Sequence, residues 1–321
     1  MAAPVLSDQE FIELYEKHGA RGLAKLAGFS SERSVQQRRV RLEGKYRRTI
    51  NNPNLSPNIG KVIKLEFPDW QEIEIKNGYL IAFGDAHLEP GEKTTAHRAL
   101  LKFIKELQPE ALIDLGDLVD FSTISRHHRI GWDKHPEVGK EIEWASDCLH
   151  EMKKLGPKRM ITKKTMGNHD MRFSGYFSNL TPKMEGVRGT AYMDHFPGWG
   201  VSWSIRVNKD QLEITHRWKS GLHGPWNNTL WAGISYVTGH QHKQQVYPLT
   251  DLRGDRWGVD SGTLASIYAP TFRYLEGKPR NWRSGFAVFR FVNGKLRHPE
   301  LLRVIDEKEG LVEWRGQDAY V

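Results

Sequence analysis

Residues 79–87 read YLIAFGDAH. An apolar run with no polar alternation is the pattern of a strand buried on both faces. It stops at Gly84, so Asp85 and His87 fall in the loop that follows. The same grammar recurs downstream. Residues 93–108, KTTAHRALLKFIKELQ, predict an amphipathic helix, and 111–117, ALIDLGD, a second strand. Residues 138–155 predict another helix, and 159–166 a third strand running into GNHD. QLEITH (211–216) and SYVTGHQH (235–242) predict two more strands. Strand and helix alternate and a strand-rich end follows, which predicts a layered α/β fold. In that end, Phe286 and Val288 would share one strand face with Arg290, while Ala287, Phe289 and Phe291 line the other. Asn293-Gly294 then suits a hairpin turn.

Polar residues gather where the predicted strands stop. Asp85 and His87 form D-x-H, and Asp117 and Asp120 form G-D-x-x-D. Asn168, His169 and Asp170 form G-N-H-D, His216 ends QLEITH, and His240 and His242 form G-H-x-H. Loops at strand C-termini are where α/β folds carry their sites. Carboxylate, carboxamide and imidazole suit Mn, Fe, Zn or Mg. The only cysteine is Cys148, so an intramolecular disulfide and a cysteine-rich zinc site are excluded. Seven ligands exceed the needs of one tetrahedral ion, and a shared carboxylate can hold two. Such a pair clamps a phosphoryl group and turns bound water into hydroxide at neutral pH. D-x-H and G-H-x-H are weak alone and G-N-H-D is more specific; the strength lies in the set and its order.

The series D-x-H, G-D-x-x-D, G-N-H-D, His and G-H-x-H resembles that of the calcineurin-like metallophosphoesterases over roughly residue 78 to the C-terminus. The arrangement with an N-terminal helix-turn-helix is similar to that of phage-encoded members, often described as exonucleases. The resemblance implies a β-sandwich of two sheets flanked by helices. It implies one ion held by Asp85, His87, Asp117 and His242. Asp117 would bridge to a second, held also by Asn168, His216 and His240. Manganese is the expected metal. His169 would contact the phosphate or protonate the leaving oxygen, and Asp170 would orient His169 and set its tautomer. Asp120 would stand behind the ligands. One departure is Arg217, which follows His216 where the family usually has glycine. Arg217 could itself reach a phosphate. His223 is the rival fourth-motif ligand, with His216 preferred because it ends a strand. In the loop from Asp120 to His135, Arg126 and His128 are candidate phosphate contacts or simply a solvated basic stretch.

The 321 residues include 47 Lys and Arg against 39 Asp and Glu, a net charge of +8, which favours a polyanionic partner. The excess is local. Residues 33–48 carry seven basic side chains and one acid, Glu43. Ser7 and Glu10 fit a capping box. Phe11, Leu14 and Tyr15 continue a first helix up to Gly19, Leu23 and Leu26 mark a second, and Val35 and Leu42 lie on one face of a third. Gln37, Arg38 and Arg41 would point away from that face. The stretch resembles a helix-turn-helix, so Arg33, Gln37, Arg38 and Arg41 are the expected DNA contacts. The competing reading is a basic three-helix cap that packs on the larger domain or binds RNA or protein. The expected organisation is a helix-turn-helix over 1–50, a linker over 51–77 and the phosphoesterase domain over 78–321.

The expected function is a two-metal phosphodiesterase acting on DNA. The alternatives are a small-molecule phosphoesterase localised by its N-terminal helices, and a DNA-binding regulator with an inert phosphoesterase domain. No apolar stretch approaches the roughly 20 residues of a membrane helix and no signal peptide is seen, so the expected location is cytoplasmic, without a membrane partner. Among eleven tryptophans, Trp218, Trp226, Trp231 and Trp282 could stack on bases, but nothing in the sequence singles them out.

Overall fold

The computed structural model describes residues 6–46, 48, 50–51, 53, 67–127, 132, 134–276, 278 and 280–321. The chain divides into two compact units, Met1–Leu65 and Glu66–Val321.

In the first unit, α1 (Asp8–Leu26) starts on the capping box: Ser7 accepts from the Glu10 amide and Glu10 from the Ser7 amide. Gly19, at φ 67° and ψ −179°, is non-helical, so the stop expected there is present and α1 is two helical segments that meet at Gly19. The second helix is α2 (Glu32–Tyr46). Phe11, Ile12, Tyr15, Leu23, Val35, Leu42 and Ile50 form the core between them, whereas Leu26 is exposed. Arg33, Gln37 and Arg41 are exposed. Arg38 is not directed outward as expected. Its guanidinium lies 4.8 Å over the Phe11 ring and donates to the Leu6 carbonyl. Arg38 sits three residues after Val35 and four before Leu42, which is the buried stripe itself.

The second unit runs β1 (Trp70–Ile73), β2 (Gly78–Phe83), α3 (Thr95–Leu107), β3 (Ala111–Asp114), α4 (Val138–Leu155), β4 (Ile161–Thr165) and α5 (Asp170–Leu180). It continues β5 (Gly200–Ser202), β6 (Ser204–Val207), β7 (Leu212–Thr215), α6 (Gly224–Ala232), β8 (Ser235–Thr238), β9 (Gln245–Asp251) and β10 (Gly254–Asp260). It ends with β11 (Gly285–Val292), β12 (Lys295–Leu296), β13 (Glu300–Asp306), β14 (Leu311–Trp314) and β15 (Gln317–Tyr320). One sheet has the order β1-β6-β7-β8-β10-β9; the other has β15-β14-β13-β11-β2-β3-β4-β5, with β12 on β11. The stretch read as linker, 51–77, is not a linker throughout. Its residues Trp70–Ile73 form β1, parallel to β6, and 54–66 lie outside the described residues.

Alternation along β2 and β11 builds the layers. Ile81, Phe83, Phe286 and Val288 join α3 and α4 in one core, with Leu100, Ile104, Leu149 and Met152. Leu80, Ala82, Ala287, Phe289 and Phe291 point the other way, against Ile205, Val207, Ile214 and Val237 of the six-stranded sheet. The strand apolar on both faces is therefore the central wall of a two-sheet sandwich flanked by helices. Asn293 (φ 51°) and Gly294 (φ 75°) turn β11 into β12, pairing Val292 with Lys295. β2, β3 and β4 run parallel in one sheet and β7 and β8 in the other, so all five motif-bearing strands deliver their C-termini to one end.

Candidate metal centre

The strand-end residues converge. Ligand atoms of Asp85, His87 and His242 lie within 4.8 Å of one another, as do those of Asp117, His216 and His240, and those of His87, Asp117 and His169. Asn168 joins the second group, its Oδ1 lying 3.1 Å from His216 Nε2. Each carboxylate spends one oxygen on a backbone amide and aims the other inward. Asp85 Oδ2 accepts from the His240 amide at 2.7 Å, leaving Oδ1 at 3.0 Å from His242 Nε2. Asp117 Oδ1 accepts from the His169 amide at 2.7 Å, leaving Oδ2 at 3.3 Å from His216 Nε2. The His216 ring is oriented by its Nδ1, 2.9 Å from the Leu115 carbonyl. When Nδ1 donates there, Nε2 keeps its lone pair for a ligand.

Backbone geometry explains why these residue types occupy these places. Asp85, His87, Asp117, His240 and His242 have φ of 50°, 39°, 54°, 70° and 57°. This is the left-handed region, which short polar residues tolerate best among those with a Cβ. Two glycines clear the way. A Cβ on Gly167 would overlap Asp117, and one on Gly239 would overlap Asp85 Oδ2.

The donor set fits divalent cations. His87 Nε2 is buried and has no hydrogen-bond partner among the described residues, while Nδ1 of the same ring is held 3.2 Å from Asp120. An unpaired buried nitrogen is costly, and a cation at that point satisfies it. Electrostatics point the same way. Burial opposes ionisation of Asp117, yet His216, His169 and His87 hold its carboxyl well below the usual range. Burial also opposes charging His216, but Asp117 and Asp85 raise it to about 9. Burial, helped by His216, pushes His240 down to about 4. The cluster thus keeps its carboxylates ionised and favours positive charge beside them: a proton on His216, which a cation taking the Nε2 lone pair would displace.

His169 stands beside the ligands, but Asp170 does not orient it. The Asp170 carboxylate accepts from the amides of Asp117 (2.9 Å), Leu118 (3.1 Å) and Gly167 (3.0 Å), from the Tyr192 hydroxyl (2.7 Å) and from Lys164 Nζ (2.9 Å). As the first residue of α5, it braces the loop that carries Asp117. The group that holds His169 is Asp120, with Oδ1 at 2.8 Å from His169 Nδ1. Asp120 links this ring to His87 and accepts from the Ser122 hydroxyl. Arg172 donates to the Asp120 carbonyl at 2.6 Å and lies 3.3 Å from His169 Nε2. Burial works against protonating His169, but Asp120 outweighs it and raises the ring above its ordinary pKa. Arg172 and Lys164 carried no motif; the single sequence signal for this outer layer was the second Asp of G-D-x-x-D.

The remaining candidates divide. Arg217 is exposed and reaches Asn168 Oδ1 at 3.4 Å, so it rims the site. Arg126 is exposed. His128 lies outside the described residues. His223, the rival of His216, precedes α6 and belongs to none of the three groups. No helix of the described residues is long and apolar enough to cross a membrane.

Gene 54 protein of Mycobacterium phage L5 is 28% identical over 236 residues, covering 65% of this chain and 87% of the phage protein. Gene 54 protein of Mycobacterium phage D29 is 26% identical over 240 residues, with the same coverages. A solved dimetal phosphatase from Danio rerio aligns at 11% identity with a TM-score of 0.37, covering 76% of this chain and 98% of that one. The profile of the calcineurin-like phosphoesterases matches residues 79–247, just over half of the chain and all five motifs. The chain belongs to the calcineurin-like phosphoesterase family and is a metal-dependent phosphoric ester hydrolase.

Proposed function

We propose that the chain is a phosphodiesterase that cleaves nucleic acid, with DNA as the substrate. In this reading Asp85, His87, Asp117 and His242 would hold one divalent ion, and Asp117, Asn168, His216 and His240 the other, manganese being the first choice. The ions supply charge stabilisation at the phosphoryl group and activation of water. The protein's own part lies with His169. Asp120 fixes its ring through Nδ1, so that a proton on Nε2 can pass to the departing ester oxygen. Arg217, at the rim, is suited to a neighbouring phosphate.

The observation that carries the substrate is the exposed row Arg33, Gln37 and Arg41 on a compact basic unit. At spacing i, i+4, i+8 these side chains share one face of α2, which suits a duplex groove or backbone. The test is hydrolysis of end-labelled single- and double-stranded DNA with Mn²⁺ and an EDTA control. Metal-dependent cleavage that is lost in Asp117→Asn and His169→Ala is expected. Full cleavage by either variant refutes the site. No cleavage by the metal-loaded native chain refutes the substrate and moves it to a small phosphoester.

A further inference from the structure

Beside the candidate metal centre lies a cleft of about 410 Å³, in the range of pockets that hold small ligands. Its walls include Asn168 and His216, so it opens directly on the second ligand group. Much of the remaining wall is apolar and aromatic, with Met171, Trp203, Trp218 and Tyr236, and Arg217 stands at the edge shared with the ligands. Trp203 and Trp218 are 41% and 45% exposed. Each is braced from one side. Trp203 packs edge-on against Phe67 at 5.1 Å, and Trp218 leans on Tyr236 at 5.1 Å. The Thr215 hydroxyl ties down Tyr236 at 3.3 Å. Two indoles held by their neighbours yet open to the cleft are preformed platforms, with little entropy left to lose on binding.

We infer that this cleft is a nucleobase subsite: it holds the base of the nucleotide whose phosphate sits at the metal centre. The inference rests on the phosphodiesterase reading above and names the ester substituent that reading leaves open. A phosphoryl group at Asn168 and His216 projects one substituent into the cleft. Flat aromatic walls reward a flat aromatic substituent, and every base has such a face. Ser204, and Glu213 beside its ion-pair partner Arg206 (3.5 Å), offer polar contacts to the edge of a base that an alkyl or lipid chain would not use. Lys219, with Nζ 3.8 Å from the Trp231 ring centroid and 5.8 Å from that of Trp218, keeps positive charge near this side. Trp203 was not among the tryptophans the sequence offered; the cleft selects it and Trp218, and leaves Trp226, Trp231 and Trp282 outside its lining.

The test is calorimetric titration of the Mn²⁺-loaded full chain with dAMP and with 2-deoxyribose 5-phosphate, which differ by the base alone. The native chain is expected to prefer dAMP by about tenfold, the stacking increment of one base. Trp203→Ala and Trp218→Ala are each expected to pull the ratio towards one, while Trp218→Phe, which keeps an aromatic face, retains most of it. A native ratio near one, no measurable dAMP binding, or a ratio untouched by both alanine substitutions overturns the subsite. DNA cleavage is scored separately. Cleavage with a ratio of one discards the subsite and keeps the phosphodiesterase. A tenfold ratio without DNA cleavage keeps the subsite and makes the substrate a small nucleotide ester.

Discussion

Replacing Asp170 by Asn separates the two roles open to that carboxylate. It accepts five hydrogen bonds: Oδ1 from the Leu118 amide and the Tyr192 hydroxyl, Oδ2 from the amides of Asp117 and Gly167 and from Lys164 Nζ. An asparagine can keep only one oxygen. The cheaper orientation turns its NH₂ to the Oδ1 side, where the Tyr192 hydroxyl can rotate and accept. The Leu118 amide is then left facing a donor, at about 1–3 kcal/mol. Lys164 is fully buried, and it would retain Asp114 (2.7 Å) as its remaining carboxylate. Removing one partner of a buried charge network costs about 3–5 kcal/mol. The two costs overlap, so the expected loss is about 3–5 kcal/mol in all. Urea denaturation should show it as a midpoint lower by about 1 M or more. Asp120→Asn is the counterpart: a change below about 2 kcal/mol with a turnover drop of about 10–100-fold, because His169 loses its orienting carboxylate. If Asp170→Asn left the midpoint unmoved and cut turnover, the bracing role would be wrong and Asp170 would belong to His169 after all.

Gly167→Ala should cost at least about 100-fold in Mn²⁺-dependent turnover of bis(p-nitrophenyl) phosphate, because the new methyl overlaps the Asp117 amide and carboxylate; native turnover would refute the close approach. Burial pushes the Glu141 carboxyl up from 4.5 to about 7. Between those values the folded chain keeps a proton that the unfolded chain has released, so this group makes the fold lose stability as pH rises through that window. Glu141→Gln removes the loss, and its advantage over the native chain in urea should grow from pH 5 to pH 8, by up to about 3 kcal/mol; a constant difference refutes the assignment. In the first unit, Arg33→Ala and Arg41→Ala should each lower the slope of log K against log salt for DNA by about 0.9, measured by fluorescence anisotropy. Arg38→Ala should instead lower thermal stability, because its guanidinium covers Phe11.

The sandwich was legible where periodicity is decisive. The run YLIAF and the alternation of 286–291 each have a single solution: a strand with one face to the helices and one to the second sheet. β1 was not legible, since Trp-Gln-Glu-Ile carries no such pattern. It is a strand because β6 lies beside it, with Arg206 4.6 Å from the Trp70 ring centroid. The metal cluster was legible because every member follows a strand and strand ends converge. The outer layer was not. Asp170 adjoins His169 in sequence, but the start of α5 turns its carboxylate into the Asp117 loop, while Asp120 arrives from another strand end. Adjacency along the chain fixes neither direction nor reach. Arg38 failed for a related reason: basic character suggested solvent, but its helical phase put it on the core stripe.

The left-handed backbone of five candidate ligands bears on any attempt to retune the metal. Aspartate, asparagine and histidine are at once good oxygen or nitrogen donors and the residues with a Cβ most at ease at positive φ. Donor chemistry and chain path have therefore been solved together. A redesign that treats them as independent, exchanging Asp85 for glutamate or His242 for cysteine to favour another ion, changes the cost of the turn along with the ligand. The usable alphabet at these positions is narrow, and variation in the supporting layer, Asp120, Arg172 and Ser122, leaves these five left-handed positions untouched.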